Sequence, residues 1–168
     1  LLEAQSRGHD VFYYTPADLS LRDGMLMAQG HNLTVEDKPG DHYRLAYPRS
    51  EDLADYDVVQ LRQDPPFDME YIYTTYLLEQ AEQAGCLVVN RPGSLRDANE
   101  KLFTTRFPQC CPPLLVSADN NRLKAFHAEH GDVIFKPLDG MGGTNIFRVK
   151  AGDPNLNVIL ESLTDFGN

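Results

Sequence analysis

The sequence predicts an α/β protein: strands alternating with helices, then a β-hairpin with a glycine-rich tip. Three stretches predict it. Residues 1–15 (LLEAQSRGHDVFYYT) read as a helix end, a glycine and an aromatic strand, which is half of a βαβ unit and implies a parallel sheet. Residues 57–90 read as a strand, a long helix and a second strand. Residues 133–149 (VIFKPLDGMGGTNIFRV) place two β-prone runs on either side of Gly140, Gly142 and Gly143, as a hairpin with an adaptable tip would.

Taken in order, the first helix ends at Gly8, a C-terminal cap, and residues 10–15 form the aromatic strand. The chain opens at Leu1 inside a helix already under way, with no initiator Met and no signal-peptide pattern. It therefore reads as a fragment whose first strand precedes it. Residues 18–35 hold two β-like runs around Arg22-Asp23-Gly24, a hairpin turn signal. Residues 38–51 are polar and punctuated by proline, as in an exposed connection. Residues 57–62 (DVVQLR) read as a buried strand ending in Arg62-Gln63-Asp64-Pro65-Pro66-Phe67-Asp68.

The turn after that strand is a candidate site, because ligands of open α/β sheets bind beyond the carboxyl ends of the strands. Arg62 and Asp64 would face such a ligand. Equally, the turn is structural, with Pro65-Pro66 stiffening it and Asp68 capping the next helix. Residues 68–85 predict an amphipathic helix with Ile72, Tyr76, Leu77 and Ala81 toward the core and Gly85 as its stop. Cys86-Leu87-Val88-Val89-Asn90 gives the next strand, completing a Rossmann-like layer.

Arg91-Pro92-Gly93 breaks the pattern. The division expected is residues 1–95 as an N-terminal domain, incomplete at its start, and residues 96–168 as the beginning of a second. A helix over residues 94–103 would be capped by Ser94 or Asp97 and ended by residues 108–113. Leu114-Leu115-Val116-Ser117 reads as a short strand, and residues 121–130 as a charged helix stopped by Gly131. A last helix is expected from Asp153-Pro154 through Leu163 and Phe166, with Gly167 as its stop.

The glycine-rich tip invites a phosphate. Glycines let backbone N–H groups approach a ligand closely, successive N–H groups form an anion-binding concavity, and Lys136 adds a point charge. It is neither a P-loop, since no lysine follows these glycines, nor a dinucleotide fingerprint, since they lead into a strand. A plain hairpin with a solvated lysine remains the alternative at this stage.

Composition bounds the function. A net charge of −10 over 168 residues excludes a general nucleic-acid binder, while leaving room for a local basic pocket. No apolar run approaches the roughly 18 to 20 residues of a membrane span. Cys86, Cys110 and Cys111 are odd in number and two are adjacent. They read as structural thiols in a reducing cytoplasm rather than a disulfide framework. His127 and His130 have an i,i+3 spacing able to bind metal. Their helix is polar and lacks a third ligand nearby in sequence, so a solvated face is the expectation.

RQDPPFDMEYIY (residues 62–73), VNRPGSLRDANEKLF (residues 89–103) and FKPLDGMGGTNIFRV (residues 135–149) together resemble the prokaryotic glutathione synthetases of the ATP-grasp superfamily. The resemblance runs along almost the whole chain and is least distinct over residues 18–55. It implies a Rossmann-like, pre-ATP-grasp N-terminal domain followed by the first α+β subdomain of an ATP-grasp unit. It also implies an ATP- and Mg²⁺-dependent ligase acting on small molecules. Such an enzyme phosphorylates the C-terminal carboxylate of γ-glutamylcysteine and lets glycine attack the acyl phosphate. By resemblance, Lys101 and Lys136 match the family's two phosphate-contacting lysines. Gly140, Met141, Gly142 and Gly143 match its loop over the phosphates, and Arg62 and Asp64 lie in its substrate-facing turn. The adenine linker, lid and metal ligands of the family find no match here, so the expectation is a C-terminal half beyond this chain and an inactive fragment. Another ATP-grasp carboxylate–amine ligase, or a non-catalytic nucleotide-binding module, remains the alternative. Homo-oligomerisation is left open.

Overall fold

The computed structural model describes residues 1–64 and 66–167. The chain divides into two compact units, one of residues 1–64 with 69–96 and a second holding residues 66–68 and 97–167 of those described. The stiffening expected of Pro65 lies outside the described residues.

The first unit is built on one long strand. After helix α1 (Leu2–Ser6) come β1 (Phe12–Tyr13), β2 (Leu19–Arg22), β3 (Met25–Val35), β4 (Tyr43–Leu45) and β5 (Arg49–Asp52). All four of the other strands pair antiparallel with β3. β2 and β5 flank its first half, at Leu19↔Ala28 and Ala28↔Glu51, while β1 and β4 join its second half at Phe12↔Asn32 and Leu33↔Leu45. The turn between β2 and β3 is the Asp-Gly pair expected, with Asp23 at φ 52° and Gly24 at φ 84°. Both left-handed residues suit the twist of a two-residue hairpin. Gly30 is needed for another reason. A Cβ there would strike the carbonyl oxygen of Tyr13 and lie 2.7 Å from Phe12 Cζ, so a bare backbone lets β1 close on β3.

Two expectations change here. The aromatic strand is not part of a parallel sheet: it is two residues long and antiparallel to β3. Residues 38–51 are not wholly a connection, because β4 and part of β5 arise from them. Their polar side chains suit strands with a solvated face.

The parallel element follows. β6 (Val58–Gln60), α2 (Met69–Gln83) and β7 (Leu87–Val89) form the βαβ unit, with Val59 opposite Val88. β6 is not buried throughout. Only Val59 turns inward, and Val58 stays 45% exposed. On α2 the buried stripe is Tyr71, Thr74, Thr75, Leu78 and Ala81; of the expected positions Ala81 lies in it and Leu77 packs partly buried against the core, while Ile72 is half-buried and Tyr76 exposed. The phase differs because two threonines tolerate burial. Their hydroxyls donate back to the carbonyls of Glu70 (3.0 Å) and Ile72 (2.6 Å), so neither is left unpaired. Leu26, Ala28, Leu53, Val59, Leu78, Ala81, Cys86 and Val88 make the core of this unit. Burial there pushes the Cys86 thiol up. It also raises the Tyr14 phenol to about 12, with the Cys86 thiol adding to the shift.

Helix α3 (Pro92–Asp97) starts earlier than expected and ends sooner. Pro92 opens it, where a missing N–H costs nothing. The expected continuation to residue 103 fails at Asn99, whose side-chain oxygen accepts the N–H groups of Lys101 (3.1 Å) and Leu102 (2.9 Å). Those bonds satisfy the backbone in a turn instead of a helix. Residues 114–117 form no strand.

In the second unit, α4 (Asn120–His130) is capped by Asp119, which accepts from the N–H groups of Asn121 and Arg122, and ended by Gly131 at φ 71°. Strands β8 (Asp132–Phe135) and β9 (Phe147–Lys150) form the hairpin, in register at Phe135↔Phe147. α5 (Leu156–Leu163) is shorter than expected at both ends, and Phe166 beyond it is non-helical at φ 56°. Leu123, Val133, Phe135, Val149 and Leu160 close the core. His127 belongs to it and not to a solvated face. It is 5% exposed, and its Nε2 donates to the Val149 carbonyl at 3.2 Å. Among the described residues no helix is long and apolar enough to cross a membrane.

Candidate functional site

The hairpin strands end by delivering Lys136 and collecting Phe147, and residues 136–146 form the loop between them. The backbone dictates its shape. Gly142, Gly143 and Asn145 sit at φ 63°, 79° and 58°. Asn tolerates that region better than other side-chain-bearing residues. Thr144 N–H donates to Met141 O at 3.1 Å, closing the turn that contains both glycines. A Cβ on Gly142 or Gly143 would meet nothing within 4 Å, so the demand there is conformational. At Gly140 it is steric, since a Cβ would come within 2.8 Å of Pro137 Cγ.

Residues from the turn after α3 complete the arrangement. The Lys101 ammonium donates to the carbonyl oxygens of Gly140 and of Leu138, the latter at 3.5 Å, and to Glu100 Oε1 at 2.9 Å. Its side chain is only 14% exposed, against 74% for Glu100. The hydrogen bond from Lys101, reinforced by its charge and by that of Lys136, holds the Glu100 carboxyl below its ordinary value. Lys101 thus holds the carbonyls of the loop that Lys136 opens, although the two lysines are far apart in sequence. Lys136 itself is exposed. Among the described residues, the amides of Gly140, Met141, Gly142 and Gly143 donate to no protein acceptor. The loop therefore offers unengaged N–H groups beside two ammonium groups, an arrangement suited to binding an anion.

Sequence reasoning placed Lys101, Lys136 and the Gly140–Gly143 loop, and the fold brings them together. It passed over Asn99 and Glu100. Their signal was present in Asn99-Glu100-Lys101, since Asn hydrogen-bonding to the backbone two residues on is a turn former, but the expected helix masked it.

Arg62 and Asp64 of the other candidate turn belong to the first unit. That turn leaves the carboxyl end of β6, where Leu61 N–H donates to Val89 O at 2.7 Å. Arg62 and Asp64 are both exposed there. Between them, Gln63 Oε1 is shut from solvent and has no hydrogen-bond partner among the described residues, an acceptor that sequence reasoning did not single out. Among the described residues no group of three His, Cys, Asp or Glu side chains gathers as a metal site.

Residues 1–96 match the family described as prokaryotic glutathione synthetase, N-terminal domain, and residues 100–168 match prokaryotic glutathione synthetase, ATP-grasp domain. Over its full 168 residues the chain is 52% identical to the glutathione synthetase of Shewanella oneidensis, of which it covers 53%. Over 167 residues, 99% of the chain, it is 55% identical to that of Pseudomonas putida, again covering 53%. The chain spans about half the length of the curated relatives it matches. Its fold also resembles a solved structure of the ATP-grasp ligase PsnB complexed with minimal precursor. That likeness has a TM-score of 0.50 at 19% identity, over 93% of this chain and 53% of the other.

Proposed function

The chain belongs to the prokaryotic glutathione synthetase family, and on that premise we propose that the protein carrying it is a glutathione synthase. ATP would phosphorylate the C-terminal carboxylate of γ-glutamylcysteine. The amine of glycine would then displace the phosphate, leaving glutathione, ADP and phosphate. Residues 1–95 would serve as the substrate domain, and residues 96–168 as the first part of the ATP-grasp domain.

One observation carries the proposal for this chain's own residues. The Lys101 ammonium bonds both Glu100 and the carbonyls of a loop whose own amides are unengaged among the described residues, and Lys136 leads into that loop. Phosphoryl transfer depends mostly on positioning and charge neutralisation. A triphosphate arriving at the loop would take over the ammonium of Lys101 from the Gly140 carbonyl and Glu100. Lys136, already facing solvent, would need no such release. The unengaged amides of Gly142 and Gly143 would donate to phosphate oxygens, and Met141 would contribute its amide in the same way. In the first unit, Arg62 is the proposed partner of a substrate carboxylate and Asp64 of a substrate ammonium.

ATP fits these residues. Mg²⁺ would supply bridging charge to the phosphates when bound. The described residues do not assemble a ligand set for it, and its ligands would come from elsewhere in the whole protein. The three free cysteines support a reducing, cytoplasmic setting. The substrates are small molecules, and homo-oligomerisation stays open.

The test is ADP release by the full gene product with substrates omitted one at a time. The proposal expects release to require γ-glutamylcysteine and glycine together. Release with a different carboxylate and amine would assign another ligase. ATP binding with no turnover on any pair would favour a binding module.

A further inference from the structure

We propose that Asn99 is a positioning residue that ties the glycine loop to the backbone turn presenting Lys101. This rests on the assignment of the loop to phosphate binding made above. The Asn99 side-chain amide is used on both sides. Its Oδ1 accepts from the N–H groups of Lys101 at 3.1 Å and Leu102 at 2.9 Å. Its Nδ2 donates to the Leu138 carbonyl, 39 residues away in sequence, at 3.1 Å. The first pair of bonds sets where the chain stops being helical and hence where the Lys101 side chain departs. The third fixes that point to the loop at Leu138, two residues before Gly140.

Lys101 also bonds the loop, through Gly140 O and Leu138 O. Those contacts cannot all persist once an anion engages the ammonium, because its three donors are already shared among two carbonyls and Glu100 Oε1. Asn99 has no charge to be drawn away. Its bond to Leu138 can remain while Lys101 turns to a phosphate, so the loop stays in reach as the lysine changes partner. Glu100 suits the same exchange. It bonds Lys101 at 2.9 Å and is itself 74% exposed, so it can release the ammonium at little cost in burial.

A purely structural Asn99 is the competing account, and position argues against it. The side chain lies outside the Leu123–Val133–Phe135–Val149–Leu160 core, and its bond to Leu138 is exposed. Losing it should therefore leave the melting temperature nearly unchanged.

Two neutral variants separate the roles. Asn99→Ala removes all three bonds. Asn99→Ser keeps an acceptor for the turn amides, but its hydroxyl ends one bond short of the reach toward Leu138. In the full gene product both variants should raise KM for ATP by roughly 3- to 10-fold, the size of one ordinary hydrogen bond. KM for the other substrates should stay as in the wild type. In the full gene product both should speed hydrogen exchange at the Thr144 amide, which donates to Met141 O, without speeding it at Val133 or Val149. Wild-type KM for ATP and wild-type loop exchange in Asn99→Ser would overturn the assignment, leaving Asn99 a turn former only. A wild-type protein that neither binds nor turns over ATP would instead overturn the phosphate assignment, and the positioning role with it, while the exchange data would still report whether the tie exists.

Discussion

Two antiparallel hairpins of this protein, β2–β3 and β8–β9, solve different problems. β2 and β3 are joined by Asp23-Gly24 alone, and two left-handed residues close the turn. β8 and β9 are joined by residues 136–146, a connection too long to satisfy itself. Its carbonyls at Leu138 and Gly140 are met by Asn99 and Lys101 from another part of the sequence. A tight turn is a local matter of backbone angles. A long loop leaves backbone groups to be answered from a distance.

The largest expected effect would show that the hairpins share one kind of foundation despite that difference. Leu53 in the first unit and Leu160 in the second are 1% and 0% exposed. Truncating either to Ala should cost about 2–5 kcal/mol through lost burial and an unfilled cavity, read as a shift in urea midpoint. Equal losses would place both cores on the same footing. A change below about 1 kcal/mol at Leu160→Ala would mean that the second core is loosely packed.

Next in size are the lysines. On the proposed assignment, Lys101→Met and Lys136→Met would each remove a charge-assisted contact worth roughly 1.5–3 kcal/mol. ATP affinity of the full gene product, by calorimetry, should fall by about one to two orders of magnitude with far-UV circular dichroism unchanged. Wild-type affinity in either variant would remove that lysine from the site.

The glycines sharpen the contrast between the two loops. Gly24→Val and the double change Gly142→Val with Gly143→Val both force β-branched residues into positive φ, at a cost of order 1–3 kcal/mol per residue. The first should lower the melting temperature, because its turn carries the β2–β3 ladder. The second should slow ATP turnover more than it lowers the melting temperature. Equal thermal losses would make the glycine loop an ordinary structural turn.

How much of this was legible in the sequence follows the same division. The Asp-Gly hairpin and the helix over residues 121–130 with its Gly131 stop are readable because their causes lie within a few residues. The pairing of β4 and β5 was not, because polar residues in 38–51 become strands only when β3 presents its edges. The face of α2 was misphased because hydroxyl burial depends on backbonding, which apolar periodicity does not record. His127 was placed in solvent, although Leu123 one turn earlier on the same face is a core residue. The glycine loop and Lys136 were readable from local pattern. That Lys101 joins them came from family resemblance, since no periodicity links residues 101 and 136.

The smallest effect concerns Glu100. Its carboxyl is held below the ordinary value first by the hydrogen bond from Lys101, then by the charges of Lys101 and Lys136. A depressed folded pKa means that its contribution is present above the unfolded value and is lost as pH falls through the folded one. An NMR titration of the Glu100 carboxyl should therefore show a midpoint below that of an exposed glutamate, moving up in Lys101→Met. An unchanged midpoint in that variant would mean that the pair does not form in solution.

The most direct test of the central claim, that Lys101 and Lys136 work together on the phosphates of ATP, is glutathione formation by the full gene product. It would be assayed with γ-glutamylcysteine, glycine and ATP with Mg²⁺, in the wild type and in the Lys101→Met, Lys136→Met double variant. The prediction is one glutathione per ADP in the wild type, and a rate lower by at least about a hundredfold in a folded double variant. Glutathione formed by the folded double variant at the wild-type rate would contradict it.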